Sequence, residues 1–263
     1  EARVKTPFGD PSDTIVVGTL EGTRVAFLPR HGRGHRISPT RLPARANIYA
    51  LKSLGVEWII SVSAVGSLKE EIRPLDLVVP DQIIDRTRSR VNSFFEDGPV
   101  VHVGFADPFC PVLSRSLYQA AQEAGARVHR GGTYVVMEGP LFSTRAESDL
   151  YRSWGASVIG MTALPEAKLA REAEICYATL ACATDYDCWR EGHESVTIEM
   201  VIANLTQNVA TAKQILRKVI PNLPARRECG CAHALQNAII TRPDLIPPQV
   251  KKDLALLMGK YVR

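Results

Sequence analysis

The chain has 263 residues, a mass of 28.9 kDa and a formal net charge of +4, with 45% hydrophobic and 23% charged residues. These values are ordinary for a soluble globular protein, and six cysteines in so long a chain do not indicate a small disulfide scaffold. No stretch reaches the roughly 18 consecutive apolar residues of a membrane span, and the first residues do not resemble a signal peptide. We therefore expect one domain, over residues 1–263, of a cytoplasmic enzyme without a membrane partner.

The first part of the chain predicts a β-hairpin followed by an anion-binding loop. Strands are expected over 14–19 and 24–28, joined by a turn at Glu21 and Gly22. The loop that follows alternates arginine, histidine and glycine. Arg30 and His31 supply a guanidinium and a second donor, which together suit a phosphate. The alternative is a solvated basic loop without a ligand.

A helix over 44–54 and a strand over 56–62 come next, and Gly55 stands where a C-terminal helix cap is expected. The strand is predicted to end in a loop of small residues that begins with Ser63 and Ala64. Exposed amide groups in such a loop can bind an anion, so this is a second candidate phosphate element. A tight turn without function has the same pattern.

The middle of the chain continues the alternation of strands and helices. Strands are expected over 75–79, 82–84 and 133–137, and helices over 112–124 and 145–154. Thr144 and Glu147 form a capping box at the start of the second helix. Phe142 lies just before it, where an aromatic ring either stacks on a flat ligand or packs in the core.

Two later strands end in polar residues of the kinds that bind anions or transfer protons. A strand over 156–159 precedes Met161 and Thr162, and the helix over 164–174 offers its amide groups to an anion beside the Thr162 hydroxyl. The buried strand over 175–182 leads to Asp185 and Asp187. Burial beside a like charge raises the pKa of a carboxyl, which makes one of them a candidate general acid. The alternative is that both aspartates cap the following loop.

The last part of the chain is helical. The longest amphipathic helix begins near Ile198 and ends before Pro221, and a short helix is expected over 250–258. The whole pattern predicts an α/β fold, a single domain with a central mixed, largely parallel β-sheet flanked by helices.

Two clusters along the chain are interpreted without a function. Arg86, Arg88 and Arg90 lack interleaved aromatic residues and indicate a surface or subunit-contact loop and not a nucleic-acid site. Of the cysteines, only Cys229 and Cys231 are close in sequence, and no second pair stands at zinc spacing. We expect free thiols and no metal site, with the other cysteines, Cys110, Cys176, Cys182 and Cys188, as single core residues.

Several motifs together resemble the trimeric purine nucleoside phosphorylases, especially the branch that acts on S-methyl-5'-thioadenosine. The motifs are Arg30-His31-Gly32, Ala46-Asn47-Ile48, Ser63-Ala64-Val65-Gly66-Ser67-Leu68, Glu138-Gly139-Pro140, Phe142-Ser143, Met161-Thr162 and Thr184-Asp185-Tyr186-Asp187-Cys188-Trp189. The resemblance covers essentially the whole chain and keeps the family's order. The family's first strand and its glycine-rich phosphate loop have no match from residue 1 onward, so we expect either that this sequence starts after them or that the protein lacks them.

The resemblance implies phosphorolysis of S-methyl-5'-thioadenosine to adenine and 5-methylthioribose 1-phosphate, in a homotrimer and without a metal or organic cofactor. Asp185 would be the acid at the purine N7, and Asp187 would hold its protonation state. The implied phosphate ligands are Arg30, His31, Ser63, Ala64 and Thr162. The implied substrate contacts are Phe142, Ser143, Met161, Thr184, Val201 and, from a neighbouring subunit, His102, with Leu254 or Leu257 beside the methylthio group.

Two other functions remain open at this point. One is a phosphorylase for 6-oxopurine nucleosides or methylthioinosine, although a carboxylate opposite a 6-oxo group sets two acceptors face to face. The other is a purine-binding homologue with impaired catalysis. Gly160 stands where the family often has a polar residue, and Leu141 stands where it commonly has an arginine. Both changes are expected to loosen contacts to the base or ribose.

Overall fold

The computed structural model describes residues 1–190 and 198–262, apart from the side chains of Ile198 and Met200. The expectation that Ile198 begins the apolar face of the longest helix therefore lies outside the described residues. The strands are β1 (Val16–Leu20), β2 (Thr23–Phe27), β3 (Trp58–Ser67), β4 (Leu77–Val79), β5 (Gln82–Arg86), β6 (Val128–Arg130), β7 (Thr133–Met137), β8 (Val158–Gly160) and β9 (Cys176–Asp185). The α-helices are α1 (Ala44–Ser53), α2 (Pro111–Glu123), α3 (Arg145–Ser153), α4 (Glu166–Glu172), α5 (Ile198–Val219), α6 (Pro248–Asp253) and α7 (Ala255–Met258).

The strands of the described residues form a hairpin, β1-β2, and a central sheet with the order β5-β7-β8-β3-β9-β4-β6. β3 and β9 are parallel neighbours, as are β5 and β7, β7 and β8, and β4 and β6. β8 runs antiparallel to β3, and β4 runs antiparallel to β9. The predicted mixed, largely parallel sheet is therefore confirmed. Since β3 and β9 are parallel, their carboxyl ends meet at one edge, where ligands bind in open α/β sheets.

Strand β9 lies at the centre of the core, and all ten of its residues are buried. Its uninterrupted apolar run is typical of a strand covered on both faces. Alternate side chains point to opposite faces, so Tyr177 and Ala181 join one apolar cluster and Cys176 and Leu180 join another. Helices α1 and α4 contribute to the first cluster, and α2 and α5 to the second. This packing fixes the carboxyl end of β9 between the two helical layers.

Strand β3 continues beyond its predicted end, so the loop expected at Ser63–Ser67 is wrong. Residues 63–65 stay paired with residues 181–183 of β9, and the register shifts between Val65 and Gly66. The shift places Gly66 opposite Asp185. The small residues that suggest a turn in the sequence instead let two strands run close together. The expected anion-binding loop is thus the irregular end of a strand.

Local signals at the helix ends are mostly confirmed. Thr144 Oγ1 accepts from the Glu147 N–H at 3.2 Å, and Glu147 Oε2 accepts from the Thr144 N–H at 2.8 Å, which completes the capping box. The last helix differs, because it is interrupted at Leu254 into α6 and α7. The short strand β6 carries little apolar pattern and has no counterpart in the prediction. No helix of the described residues has both the length and the apolarity needed to cross a bilayer.

Four cysteines meet near the amino end of β9, which corrects the prediction that Cys110 and Cys176 are isolated. Their sulfur atoms and those of Cys229 and Cys231 all lie within 4.8 Å of one another. Cys182, on the same strand, is buried and is not in this group. The sequence did not indicate the cluster because its members come from three distant segments.

Candidate active site

The candidate site is built where β3 and β9 end side by side. Gly66 of β3 lies directly against the Asp185 carboxyl group. A Cβ atom on Gly66 would be 3.0 Å from Asp185 Oδ1 and 3.3 Å from the Cβ of Asp187. A side chain at position 66 would therefore press on the carboxyl group and force it to shift. Glycine is needed here for close approach.

The Asp185 carboxyl group is held by hydrogen bonds to both of its oxygens. The Thr184 hydroxyl donates to Oδ2 at 2.7 Å, and the Asp187 backbone N–H donates to Oδ1 at 2.8 Å. Asp185 is only 7% exposed, and this burial raises the pKa of its carboxyl group above the ordinary value of 3.8, although the two hydrogen bonds act in the opposite direction. A buried carboxyl group with a raised pKa is suited to hold a proton and to release it to a ligand.

Asp187 supports Asp185 through its backbone. Its N–H donates to Asp185, and its φ of 52° turns the chain sharply just after this bond. Burial raises the pKa of the Asp187 carboxyl group, and the nearby charge of Asp185 adds to the shift. The sequence pattern attributes the raised pKa to burial beside a like charge. In the structure burial is the main cause for both carboxyl groups, and the like charge contributes only at Asp187.

Arg30 lies at the end of the segment that follows β2 and is fixed by three contacts. Its Nε pairs with Glu166 Oε1 at 2.8 Å, and its guanidinium donates to Ser61 Oγ at 2.7 Å and to the Val62 carbonyl at 3.2 Å. Burial acts to lower the pKa of Arg30, but the Glu166 carboxylate holds it above the ordinary value. Glu166 also accepts from the Tyr177 hydroxyl at 2.9 Å. The cation is thus positioned in advance of any ligand.

His31 is oriented by its own loop. Its Nδ1 lies 2.7 Å from the Ile37 carbonyl oxygen, which only accepts, so Nδ1 carries the hydrogen. Burial lowers the pKa of His31, although the bond to Ile37 acts to raise it. Nε2 is then the ring atom left for a ligand. Arg30 and His31 line part of a groove of about 860 Å³ between β2, β3 and the end of α5.

Two buried hydroxyls beside this cation have no hydrogen-bond partner among the described residues: Ser63 Oγ on β3 and Tyr134 Oη on β7. Burial raises the pKa of Tyr134, while the neighbouring Ser63, Thr162 and Arg30 act to lower it. Tyr134 Oη also lies 2.5 Å from the position of a Cβ on Gly160. The tyrosine hydroxyl therefore fills the space that the polar residue of the family pattern would take.

These unpaired donors fit an anion. A buried hydroxyl without a partner costs free energy, which a ligand that accepts from it recovers. Ser63, Tyr134 and Thr162 offer hydroxyls close to the Arg30 charge, and Ala64 lies beside them, its carbonyl 3.3 Å from the Cβ position of Gly160. Tyr134 is absent from the sequence prediction because it stands inside an apolar strand.

Replacing Tyr134 with phenylalanine is expected to raise the KM for phosphate on the order of 10-fold, because one hydrogen bond to a charged ligand is lost. Tyr151→Phe is the matched control, since Tyr151 is similarly buried in a separate apolar cluster. Steady-state kinetics with varied phosphate measure the change. An unaltered phosphate KM in Tyr134→Phe would contradict a contact between this hydroxyl and phosphate.

The loops after β7 and β8 bring the predicted base and ribose residues to the same edge. Met161 packs with its sulfur against Gly139, which has a φ of 71°. Ser143 Oγ donates to Met137 Sδ at 3.5 Å, and the Cys188 thiol donates to the Ser143 carbonyl at 3.4 Å. The loop after β7 is therefore tied to the loop after Asp187.

Phe142 belongs to the same loop and is 53% exposed. This exposure excludes the alternative that it packs in the core. Its ring is available to stack on a flat ligand. Leu141 is 83% exposed, so the departure from the family pattern at this position changes a surface side chain in this chain.

Arg90 is a positioning residue that the sequence prediction assigned wrongly to the surface. It is 7% exposed, whereas Arg86 and Arg88 are exposed. Its guanidinium donates to four carbonyl oxygens, those of Met161, Leu164, Met137 and Glu138, at 2.6 to 3.1 Å. These bonds hold the loops after β7 and β8 together. The sequence carries no signal for them, because the partners are 47 to 74 positions away.

The remaining residues implied by the resemblance come from α5, from the segment before α2 and from the last two helices. Val201 on α5 is half-buried, and Asn204 of that helix donates to the Thr184 carbonyl at 2.7 Å, which attaches α5 to the end of β9. His102 is exposed, and its backbone N–H donates to the Ala238 carbonyl. Leu254 and Leu257 are buried in the main core, so neither presents free surface to a substrate in this chain.

The family model of the phosphorylase superfamily matches residues 1–221, and the chain belongs to that superfamily. A curated relative from Geobacter sulfurreducens, named S-methyl-5'-thioadenosine phosphorylase, is 61% identical over 98% of this chain and 91% of its own length. The fold is similar to that of a crystallised methylthioadenosine phosphorylase sourced from an antarctic soil metagenomic library. The TM-score is 0.93 at 49% identity, over 97% of this chain and 91% of that one.

A more distant solved structure shows what a related fold binds. It is a variant of the adenosine/methylthioadenosine phosphorylase of Schistosoma mansoni, in complex with methylthioadenosine. Its TM-score is 0.81 at 34% identity, over 98% of this chain and 90% of that chain.

Proposed function

We propose that this chain is a pentosyltransferase of the purine nucleoside phosphorylase type that converts S-methyl-5'-thioadenosine and phosphate to adenine and 5-methylthioribose 1-phosphate. The observation that carries the proposal is the pairing of a buried Asp185, whose carboxyl pKa is raised, with a fixed Arg30 and unpaired buried hydroxyls at one edge of the sheet. The names of the similar proteins support the choice of substrate.

In the reaction, a phosphate oxygen forms a bond to the anomeric carbon while the bond from that carbon to the purine N9 breaks. The bonding electrons move into the purine, and the Asp185 proton passes to N7, so that neutral adenine leaves. The bonds from Thr184 and Asp187 then stabilise the new carboxylate, which accepts from the 6-amino group. Asp187 acts mainly by orienting Asp185.

Phosphate would be held by Arg30, His31, Ser63, the Ala64 backbone and Thr162, with Tyr134 as a further donor. Arg30 supplies the positive charge, and its contact with Glu166 keeps the guanidinium in one orientation. Donors fixed before the reaction stabilise developing charge without reorganisation. In this scheme no metal or organic cofactor takes part in the chemistry.

Met161 would contact the ribose, Phe142 the base and sugar, and Ser143 the purine edge. Thr184 acts on the substrate indirectly, through its hydrogen bond to the Asp185 carboxyl group. Val201 and, in a homotrimer, His102 from a neighbouring subunit would surround the methylthio group. The exposure of His102 leaves it free for such a contact. Sedimentation tests the trimer, and a monomer would remove His102 from the site.

The choice of base is tested by comparing S-methyl-5'-thioadenosine with methylthioinosine and inosine, using release of the free base as the readout. We expect the highest kcat/KM for the 6-amino substrate, because the Asp185 carboxylate accepts from its amino group. A strong preference for inosine would show that the chain acts on 6-oxopurines. Tight purine binding without phosphorolysis of any substrate would indicate a binding protein.

A further inference from the structure

A compact group of four cysteines lies apart from the candidate active site. Cys110 caps the amino end of α2, Cys176 is the first residue of β9, and Cys229 and Cys231 flank Gly230 in the segment after α5. The sulfur of Cys229 lies 3.3 Å from that of Cys176 and 3.6 Å from that of Cys110. All four sulfurs lie within 4.8 Å of one another.

These distances fit a tetrahedral thiolate site. A zinc ion bound by four cysteines has Zn–S distances of about 2.3 Å, which sets the sulfurs about 3.8 Å apart. The Cys229 sulfur therefore has two neighbours within about 0.5 Å of the spacing that a shared ion requires. Three of the four cysteines are buried and Cys229 is half-buried, as in closed structural sites without an open coordination position.

The surroundings can support the negative charge of such a site. The Leu113 N–H, in the first turn of α2, donates to the Cys110 sulfur at 3.5 Å, and a helix amino end favours a thiolate. Arg227 precedes Cys229 by two positions. It pairs with Glu57 at 3.0 Å and donates to the Glu174 carbonyl, which fixes the chain just before Cys229.

We propose that Cys110, Cys176, Cys229 and Cys231 bind one zinc ion as a structural tetrathiolate site. The ion joins the start of α2, the start of β9 and the segment after α5, which are distant from one another in the sequence. Cys176 and Asp185 are the two ends of the ten-residue strand β9, roughly 30 Å apart at about 3.3 Å per residue. The zinc therefore stabilises the fold and takes no part in the chemistry.

Two measurements on the untreated wild-type protein test the site directly. Elemental analysis after gel filtration is expected to find about one zinc per chain, and denaturing intact mass without reductant is expected to show six free thiols. A mass lowered by two hydrogens for each disulfide formed, with no metal bound, would overturn the proposal. Metal-free protein with all thiols reduced would overturn it equally.

Matched variants locate the metal. Cys229→Ser is expected to lose at least about nine-tenths of the zinc, since one of four ligands is removed. Cys182→Ser is expected to keep it, because Cys182 is buried on the same strand outside the cluster. Loss of zinc in both variants, or in neither, would place the ion elsewhere.

Cobalt substitution of the wild-type protein decides the ligand set even if Cys229→Ser does not fold. We expect thiolate-to-cobalt charge-transfer absorption together with the intense visible bands of a tetrahedral ion. Only weak bands of an octahedral ion would contradict the proposal. Removal of zinc with a chelator is expected to lower the Tm.

Discussion

Replacing Asp185 with asparagine is expected to lower kcat/KM for S-methyl-5'-thioadenosine on the order of 10²- to 10⁴-fold, the usual contribution of a general acid. The amide has the shape of the carboxyl group but does not give up a proton to N7. The amide of this variant would also present an NH₂ group to the 6-position of the purine. The loss should therefore be much smaller for a 6-oxo substrate.

Asp187→Asn is the control for this prediction. It changes the neighbouring, half-buried carboxyl group, but it keeps the backbone N–H that donates to Asp185 at 2.8 Å. We expect a smaller fall in kcat than in Asp185→Asn, measured by single-turnover release of adenine. Wild-type turnover of S-methyl-5'-thioadenosine by Asp185→Asn would contradict the role of Asp185 as the acid.

The pH dependence follows from the same carboxyl group. Because the reaction needs protonated Asp185, kcat should fall as the pH rises through its raised pKa, and Asp185→Asn should lack this limb of the profile. The folded state binds this proton more tightly than the unfolded state. The resulting contribution to stability is therefore fully present below the ordinary value of 3.8 and is lost as the pH rises through the raised pKa.

Replacing Arg30 with methionine is expected to impair both phosphate binding and folding. Loss of the guanidinium should raise the KM for phosphate on the order of 10²-fold, because charge-assisted hydrogen bonds are lost. The free energy of unfolding should fall by about 3–5 kcal/mol, since the variant leaves Glu166 buried without its cation. Phosphate titrations and urea unfolding measure the two effects.

The double variant Arg30→Met/Glu166→Gln separates these roles. Removing the unpaired carboxylate should recover part of the stability, because glutamine costs less to bury than an ion. The KM for phosphate should stay high, since the cation is still absent. Recovery of normal phosphate affinity in the double variant would show that Arg30 serves only to neutralise Glu166.

The sequence was sufficient wherever neighbouring residues determine the structure. The capping box of Thr144 and Glu147 closes within one helical turn, and the apolar run of β9 ends at the aspartates that it places. The extension of β3 escaped prediction because small residues suit a turn and a close strand pairing equally well. Only the partner strand decides between them.

Contacts between distant segments are the part that the sequence did not indicate. In the sequence Tyr134 is an ordinary strand residue. Only the structure shows that Gly160 of the neighbouring strand leaves room for its hydroxyl. The sequence pattern indicates that Arg90 is a surface charge, whereas in the structure it donates to four carbonyl groups. Cys110 and Cys229 are 119 positions apart. In each case the role depends on the tertiary fold and not on the local pattern.

The most direct test of the central claim is adenine release from S-methyl-5'-thioadenosine, measured with and without phosphate. The geometry around Asp185 and Arg30 predicts rapid release that requires phosphate and yields 5-methylthioribose 1-phosphate in equal amount. Release at the same rate without phosphate, with free 5-methylthioribose as the product, would contradict phosphorolysis and indicate a nucleosidase.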